Sequence, residues 1–192
     1  DASKSRGLGD VYKRQINMEL DEDYEDTVPS EKGDVFIAIN KCLDILESDS
    51  VTDSEKSFYL KLLIHFIGDL HQPMHIGRYE DRGGNRVYVK WFGRNSNLHR
   101  VWDSEMINGY NMSYSELAKN LPTPEKLEIE FERDDVIGWV NEIHSYTRNI
   151  YKDVSSGDNL GYEYQYKNFP TVKDLILKGG LRLAALLNYL FD

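Results

Sequence analysis

The sequence predicts a mostly α-helical single domain with a small β-ribbon. Its 192 residues fit one domain with its own hydrophobic core. Apolar residues recur at three- and four-residue steps over several long segments, whereas strict alternation is confined to one short stretch. No internal repeat or composition change marks a second domain. The pattern therefore favours one helical bundle.

Composition excludes some classes of function. The formal net charge of -10 argues against non-specific binding of nucleic acid through a broad basic surface. It leaves a phosphate substrate open, because bound divalent ions would supply local positive charge. No run approaches the roughly 18 apolar residues that a membrane span needs, so we expect no membrane partner. Cys42 is the only cysteine, which excludes an internal disulfide.

The first two predicted helices are amphipathic. Apolar residues at helical spacing over residues 32–47 predict the first helix. Thr52 and Glu55 have the spacing of a capping box and predict the start of the second helix, which runs to about Leu70. Pro73 is expected to stop it.

A short strand follows. Residues 85–92 alternate like a half-buried strand, with Gly83-Gly84 before and Gly93 after, which predicts a small hairpin. A third helix is predicted to start near Asn97, and short helices at residues 113–120 and 124–131.

The C-terminal part is predicted as two long helices. They cover residues 134–152 and 172–191, joined by a Gly- and Tyr-rich connector at 153–168. The last helix is strongly apolar and is expected in the core of the bundle. Gly179-Gly180 inside it permits close helix packing or marks a break.

Four of the five histidines lie between residues 65 and 103. His65 precedes Asp69 by four residues and His99 precedes Asp103 by four, so each pair shares one helix face. Imidazole nitrogen and carboxylate oxygen together suit zinc. With His75 between the pairs, the pattern predicts one multi-metal site.

The other two histidines are predicted not to be ligands. His71 lies two residues after Asp69 and would face away if the helix continued, so a supporting role beside the ligands is expected. His144 stands alone on the later helix and is predicted to be a partly exposed structural residue.

Several segments resemble the S1/P1 nuclease family of zinc-dependent phosphodiesterases. The resemblance rests on HFIGDLHQPMHIG, the DRGGN turn and NLHRVWD, and extends to WVNEIHSYTRNIYKD and GGLRLAALLNYLF near the C-terminus. It covers roughly residues 30–192. It implies the helical fold shared with zinc-dependent phospholipase C, and hydrolysis of single-stranded DNA and RNA to 5′-phosphorylated products, with 3′-nucleotidase activity.

The resemblance also implies roles for the five candidate ligands. The family holds three zinc ions. By motif, His65 binds the first zinc of a close pair and Asp69 bridges that pair, where the nucleophile is generated, which makes Asp69 the predicted catalytic residue. His75, His99 and Asp103 hold the third, more distant zinc.

One part of the family pattern is missing. The family's mature chain begins with a zinc-binding Trp, followed by a ligand His, and a further Asp and His complete the close pair. Residues 1–64 here contain no His and no Trp. We therefore expect residues 16–192 to be a family domain without its N-terminal metal-binding segment. Residues 1–15 match no family segment, and one hypothesis is that they are foreign sequence.

Ligand counting then predicts fewer than three zinc ions and impaired activity. Two alternatives stay open: a phospholipase C-like phosphodiesterase, and a non-catalytic fragment stabilised by a single zinc. Single-stranded nucleic acid or nucleotides are the expected substrates of a monomer. The family implies a secreted or periplasmic location, with the signal expected in the missing region.

Overall fold

The computed structural model describes residues 15–31, 33–122 and 129–192. Short 3-10 helices span Tyr24–Asp26 and Pro73–His75, and a π-helix spans Val101–Glu105. The remaining elements follow in this order: β1 (Ile16–Asn17), α1 (Val35–Glu47), α2 (Asp53–Leu70), β2 (Ile76–Gly77), β3 (Tyr88–Trp91), β4 (Arg94–Asn97), α3 (Leu98–Arg100), α4 (Met106–Gly109), α5 (Tyr114–Lys119), α6 (Asp135–Asp153), β5 (Asn159–Leu160) and α7 (Tyr162–Phe191). The predicted mostly helical domain is confirmed. Across these ranges, no helix combines the length and apolarity needed to cross a bilayer.

Helices α1 and α2 pack together and confirm the first two predicted helices. The Asp34 carboxylate caps α1 by accepting a hydrogen bond from the Ile37 amide at 3.0 Å. The predicted capping box of α2 forms between Thr52 and Glu55. The buried faces of both helices join the larger hydrophobic core, which also takes residues from α6 and α7. This packing fixes the face of α2 that carries His65 and Asp69.

The chain reverses after α2 as Pro73 predicts. The helix ends at Leu70, and Pro73 begins the 3-10 turn that carries His75. The next two residues form β2, which pairs in parallel with β1 in the register Ile16↔Ile76. The turn is therefore held by a short strand on one side and a helix end on the other.

The predicted hairpin is confirmed. Strand β3 pairs antiparallel with β4 in the register Tyr88↔Asn97, and β5 adds to β3 in parallel. Phe92 and Gly93 both have positive φ, the geometry of a tight two-residue hairpin turn. The chain leaves β4 directly into α3, the π-helix and α4, which confirms a helix starting near Asn97.

The short helix predicted at 113–120 is confirmed as α5. For the helix predicted at 124–131, residues 124–128 lie outside the described residues. Residues 129–131 are described and are not helical. Phe131 is buried against Trp139, with ring centroids 5.6 Å apart.

Residues 153–168 are wrongly predicted as one connector, because α7 begins at Tyr162. Tertiary contacts override the unfavourable helix propensity of the Tyr-rich stretch and of Pro170. The Tyr164 hydroxyl accepts a hydrogen bond from Trp102 Nε1 at 2.9 Å. Phe169 is buried and stacks on Tyr110 with centroids 3.9 Å apart. These contacts hold the first two turns of the helix.

Helix α7 continues unbroken through Gly179-Gly180, so close packing is the correct alternative. Gly179 lies against the imidazole of His71, and a Cβ there would stand 3.2 Å from His71 Cγ. Gly180 is exposed, and a Cβ on it would meet open space. The first glycine alone is therefore required by packing.

Alanine at these two neighbouring positions is expected to act in opposite directions. Gly179→Ala destabilises the fold by about 1–3 kcal/mol, because the His71 ring is bonded on both sides and cannot move away. Gly180→Ala stabilises it by up to about 1 kcal/mol through helix propensity. Urea unfolding of the two variants measures both values. Equal stabilisation by both substitutions would show that Gly179 is not needed for packing.

Candidate metal centre

The five predicted ligands lie in one continuous group. His65 Nε2 is 3.0 Å from Asp69 Oδ2 on the same face of α2. The other oxygen of Asp69 is 3.5 Å from His75 Nδ1. His75 Nε2 is 3.6 Å from Asp103 Oδ1, and the rings of His75 and His99 stack with centroids 5.2 Å apart. The structure thus brings together residues from α2, the 3-10 turn, α3 and the π-helix.

The last turn of α2 sets the orientation of His75. Its Nδ1 lies 3.0 Å from the backbone carbonyl oxygen of Asp69. A carbonyl only accepts, so this bond places the proton on Nδ1 and leaves Nε2 as the basic nitrogen facing Asp103. Gln72 stabilises the 3-10 turn by accepting a hydrogen bond from the Met74 amide. His75 is buried, so its ring has little freedom to turn.

His99 is oriented in the same way by a different turn. Its Nδ1 donates to the carbonyl of Gly83 at 2.8 Å, and Nε2 is again the basic nitrogen. Asn97 caps α3 by accepting from the Arg100 amide at 2.8 Å, which fixes the helix end on which His99 stands.

Asp103 completes a group of three ligand atoms. It lies on the π-helix, a wide turn that is frequent at functional sites, and its side chain is 49% exposed. One ligand atom from each of His75, His99 and Asp103 lies within 4.8 Å of the others. Gln72 Nε2 also points at Asp103 Oδ1, at 3.5 Å.

One separation within the group of three matches that expected around a tetrahedral metal ion. Ligand bonds of about 2.0–2.1 Å place two ligand atoms of such an ion about 3.3 Å apart, close to the 3.6 Å between His75 Nε2 and Asp103 Oδ1. Both imidazoles hold Nδ1–H on a carbonyl and present Nε2, the usual arrangement of histidine metal ligands. Two nitrogens and one oxygen, with Asp103 open to solvent, leave room for a further ligand.

His71 lies outside this group of three, and its predicted supporting role beside the ligands stays a prediction. Its Nδ1 donates to the Ile67 carbonyl at 2.8 Å, so its Nε2 accepts from Arg182 at 3.0 Å. Burial lowers the pKa of His71 to about 4, which keeps the ring neutral. Arg182 also pairs with Glu142 and lies over Trp139. His71 therefore links the end of α2 to α7.

His144 is wrongly predicted as partly exposed, because it is fully buried. It falls on the buried stripe of α6 with Val140, Ile143 and Thr147. Burial, and after it the nearby positive charge of Arg148, lowers the pKa of His144 to about 4. The residue is structural, and its helix position one turn after Val140 was the signal for burial.

A cleft adjoins the candidate ligands. It encloses about 350 Å³, a size in the range of small-molecule sites. Its polar edge includes Asp69, His75 and Asp103, and its walls are mainly apolar, with Trp102 and Ile176 among them. A ligand that reaches the metal group can therefore rest its apolar part on these walls.

Sequence reasoning missed the groups that orient the histidines. Gly83 was expected only to form a turn, yet its carbonyl accepts from His99. Gln72, which contacts both the turn of His75 and Asp103, gave no signal beyond its place between two predicted ligands. The double glycine of the DRGGN turn was a usable signal, since Gly83 and Gly84 both have positive φ.

Comparison with known proteins gives a consistent result. A family model described as S1/P1 Nuclease matches residues 11–192. The chain is 32% identical to Endonuclease 4 of Arabidopsis thaliana over 95% of this chain and 69% of that protein. It is 36% identical to Endonuclease 1 of the same plant, over 69% of this chain and 49% of that protein. It is 30% identical to Nuclease S1 of Aspergillus oryzae, over 73% of this chain and 56% of that protein.

Burial of His144 is expected to make the fold sensitive to acid. Its pKa is lower in the folded chain than the ordinary 6.5, so below pH 6.5 the unfolded state binds more protons. The free energy of unfolding therefore falls as the pH is lowered from about 6.5 to about 4. This residue accounts for up to about 3 kcal/mol of the loss. Urea unfolding of the original chain and of His144→Leu at pH 7 and pH 4.5 measures the difference. Equal pH dependence in the two proteins would contradict the assignment.

Proposed function

This chain belongs to the S1/P1 nuclease family, and from that premise we propose that it is a zinc-dependent phosphodiesterase acting on single-stranded DNA and RNA. The proposed products carry 5′-phosphates, and removal of 3′-phosphates from nucleotides is part of the proposal. The observation that carries it is the group of His75, His99 and Asp103 at the edge of a cleft. The names of the relatives, endonucleases and Nuclease S1, support nucleic acid as the substrate class.

Zinc is the proposed metal because of the donor set. Two imidazole nitrogens and a carboxylate oxygen suit zinc better than the hard, oxygen-preferring calcium and magnesium ions. When bound, zinc in such a site polarises a phosphoryl oxygen and offsets charge that develops on the leaving oxygen. His75, His99 and Asp103 are the proposed ligands of this ion.

His65 and Asp69 are proposed as ligands of a second metal position. They stand 3.0 Å apart, and the Asp69 carboxylate also approaches His75 at 3.5 Å. Asp69 is the proposed catalytic residue, because the family resemblance makes it the carboxylate that would be shared between this position and the other ion of the close pair. Within the described ranges this position has two candidate ligands, against three for the first position. We propose that it binds metal more weakly and that hydrolysis by this chain is slow.

The cleft is the proposed place for the nucleotide. Its polar edge holds the metal ligands, where a phosphate would bind, and Trp102 lies in the adjoining wall. The chain's formal charge is -10, so a polyanion is not attracted by the chain as a whole. Binding then depends on the metal positions and on contact with the apolar wall. We also propose that the protein is a monomer and, as the family resemblance implies, that it is secreted or periplasmic.

Hydrolysis of a synthetic single-stranded oligonucleotide in the presence of Zn²⁺ tests the proposal. We expect cleavage to 5′-phosphorylated fragments, loss of cleavage with a chelator, and at least about a 100-fold slower rate in His99→Ala, which removes a ligand rather than an outer partner. A second pair of variants is Asp103→Ala, which removes a proposed ligand, and Asp49→Ala as its matched control. Asp49 is an exposed carboxylate on the turn after α1. Only the Asp103 variant is expected to lose activity.

Other outcomes separate the alternatives. Full cleavage by His99→Ala would contradict the proposed metal site. Hydrolysis of phosphatidylcholine in place of the oligonucleotide would favour the phospholipase C-like alternative. Zinc-dependent stabilisation of the fold without turnover of either substrate would favour a non-catalytic protein with one structural zinc.

A further inference from the structure

The carboxylate of Asp81 is buried, and both of its oxygens accept hydrogen bonds. Its Oδ2 accepts from Arg78 Nε at 2.9 Å and from a second nitrogen of the same guanidinium. Its Oδ1 accepts from the Tyr151 hydroxyl and from the Gly84 amide, both at 2.7 Å. Arg78 in turn lies over the ring of Tyr151, 4.5 Å from its centroid. Four bonds and one stacking contact thus fix this carboxylate.

The bond from Gly84 connects Asp81 to a candidate metal ligand. The Gly84 amide N–H belongs to the same peptide unit as the Gly83 carbonyl, and that carbonyl accepts from His99 Nδ1 at 2.8 Å. A peptide unit is planar and trans, so its N–H and C=O point in opposite directions. When Asp81 holds the N–H, the direction of the C=O is fixed as well. The bonds on either side also polarise the peptide in the same sense.

The surrounding backbone also restricts the conformation of this turn. Arg82, Gly83 and Gly84 all have positive φ. A Cβ on Gly83 would stand 2.3 Å from the Met74 carbonyl oxygen, and one on Gly77 would stand 2.7 Å from the Gly83 Cα. The turn is therefore packed directly on the segment that carries His75, and its conformation depends on glycine.

We propose that Asp81, held by Tyr151 of α6, is a positioning residue that sets the ring orientation and tautomer of His99 through the Gly83–Gly84 peptide. The inference rests on the proposed function in one respect, namely that His99 is a metal ligand. The proton on Nδ1 keeps Nε2 deprotonated, which is the form that would bind a metal ion. Asp81 thereby acts on the metal site without touching the metal.

Tyr151→Phe tests the proposal with little disturbance of the fold. It removes the hydroxyl that donates to Asp81 and keeps the ring under Arg78. Tyr146→Phe is the matched control, because Tyr146 lies on the same helix and its hydroxyl donates to Asp174 instead. Asp81→Asn is the stronger variant, because an amide has one accepting oxygen and its NH2 group only donates. It therefore loses either the two bonds from Arg78 or the two from Gly84 and Tyr151.

Two readouts that need no substrate are measured on the full chain. The first is the tautomer of His99 in the metal-free protein, from nitrogen-15 NMR of the imidazoles at a pH where they are neutral. We expect Nδ1–H in the original chain and in Tyr146→Phe, and a mixture of tautomers in Tyr151→Phe. The second is Zn²⁺ affinity by competition with a chromophoric chelator. We expect a loss of about 10-fold in Tyr151→Phe and about 100-fold in Asp81→Asn, as for other outer partners of ligands.

An unchanged tautomer together with Zn²⁺ affinity within about 2-fold of the original in both variants would overturn the proposal. A folded Tyr151→Phe protein with mixed tautomers supports it even if Asp81→Asn does not fold. Absence of oligonucleotide hydrolysis by the original chain would contradict the proposed function alone, because neither readout involves the reaction.

Discussion

The orientation of two imidazole rings is the constraint on which the rest of the candidate centre depends. His75 and His99 each donate from Nδ1 to a backbone carbonyl, those of Asp69 and Gly83. Nε2 is therefore the basic nitrogen of each ring, and Asp103 completes the group of three. A ring without such a bond could present either nitrogen, and the three ligand atoms would not converge. The fold therefore orients both imidazole rings through the positions of two backbone carbonyl groups.

Helix α6 supports the turn that carries His75 and the turn that orients His99. The Thr147 hydroxyl donates to the Pro73 carbonyl at 2.6 Å, within the turn that carries His75. One helical turn later, the Tyr151 hydroxyl donates to Asp81, which holds the turn that orients His99. Thr147 is fully buried, so its helix face is fixed by the hydrophobic core itself. The packed core therefore also restrains the candidate metal ligands.

Local patterns in the sequence predict the helices and the candidate ligands, but not how the ligands are held. The capping box of Thr52 and the four-residue spacing of the His/Asp pairs involve neighbours along the chain, and the structure keeps both together. The contact of Tyr151 with Asp81 joins residues 70 positions apart, and no periodicity encodes it. The start of α7 likewise depends on Trp102, 62 positions from its partner Tyr164. Such long-range contacts override propensity, and the sequence alone gives no measure of them.

Anomalous X-ray diffraction at the zinc edge, from crystals of the chain grown with Zn²⁺, tests the central claim most directly. The account predicts an anomalous peak about 2.0–2.1 Å from Nε2 of both His75 and His99, with a carboxylate oxygen of Asp103 beside it. It also predicts that Nδ1 of each ring stays within hydrogen-bond distance of its carbonyl oxygen. Zinc bound elsewhere, or bound through Nδ1 of either histidine, would contradict the account.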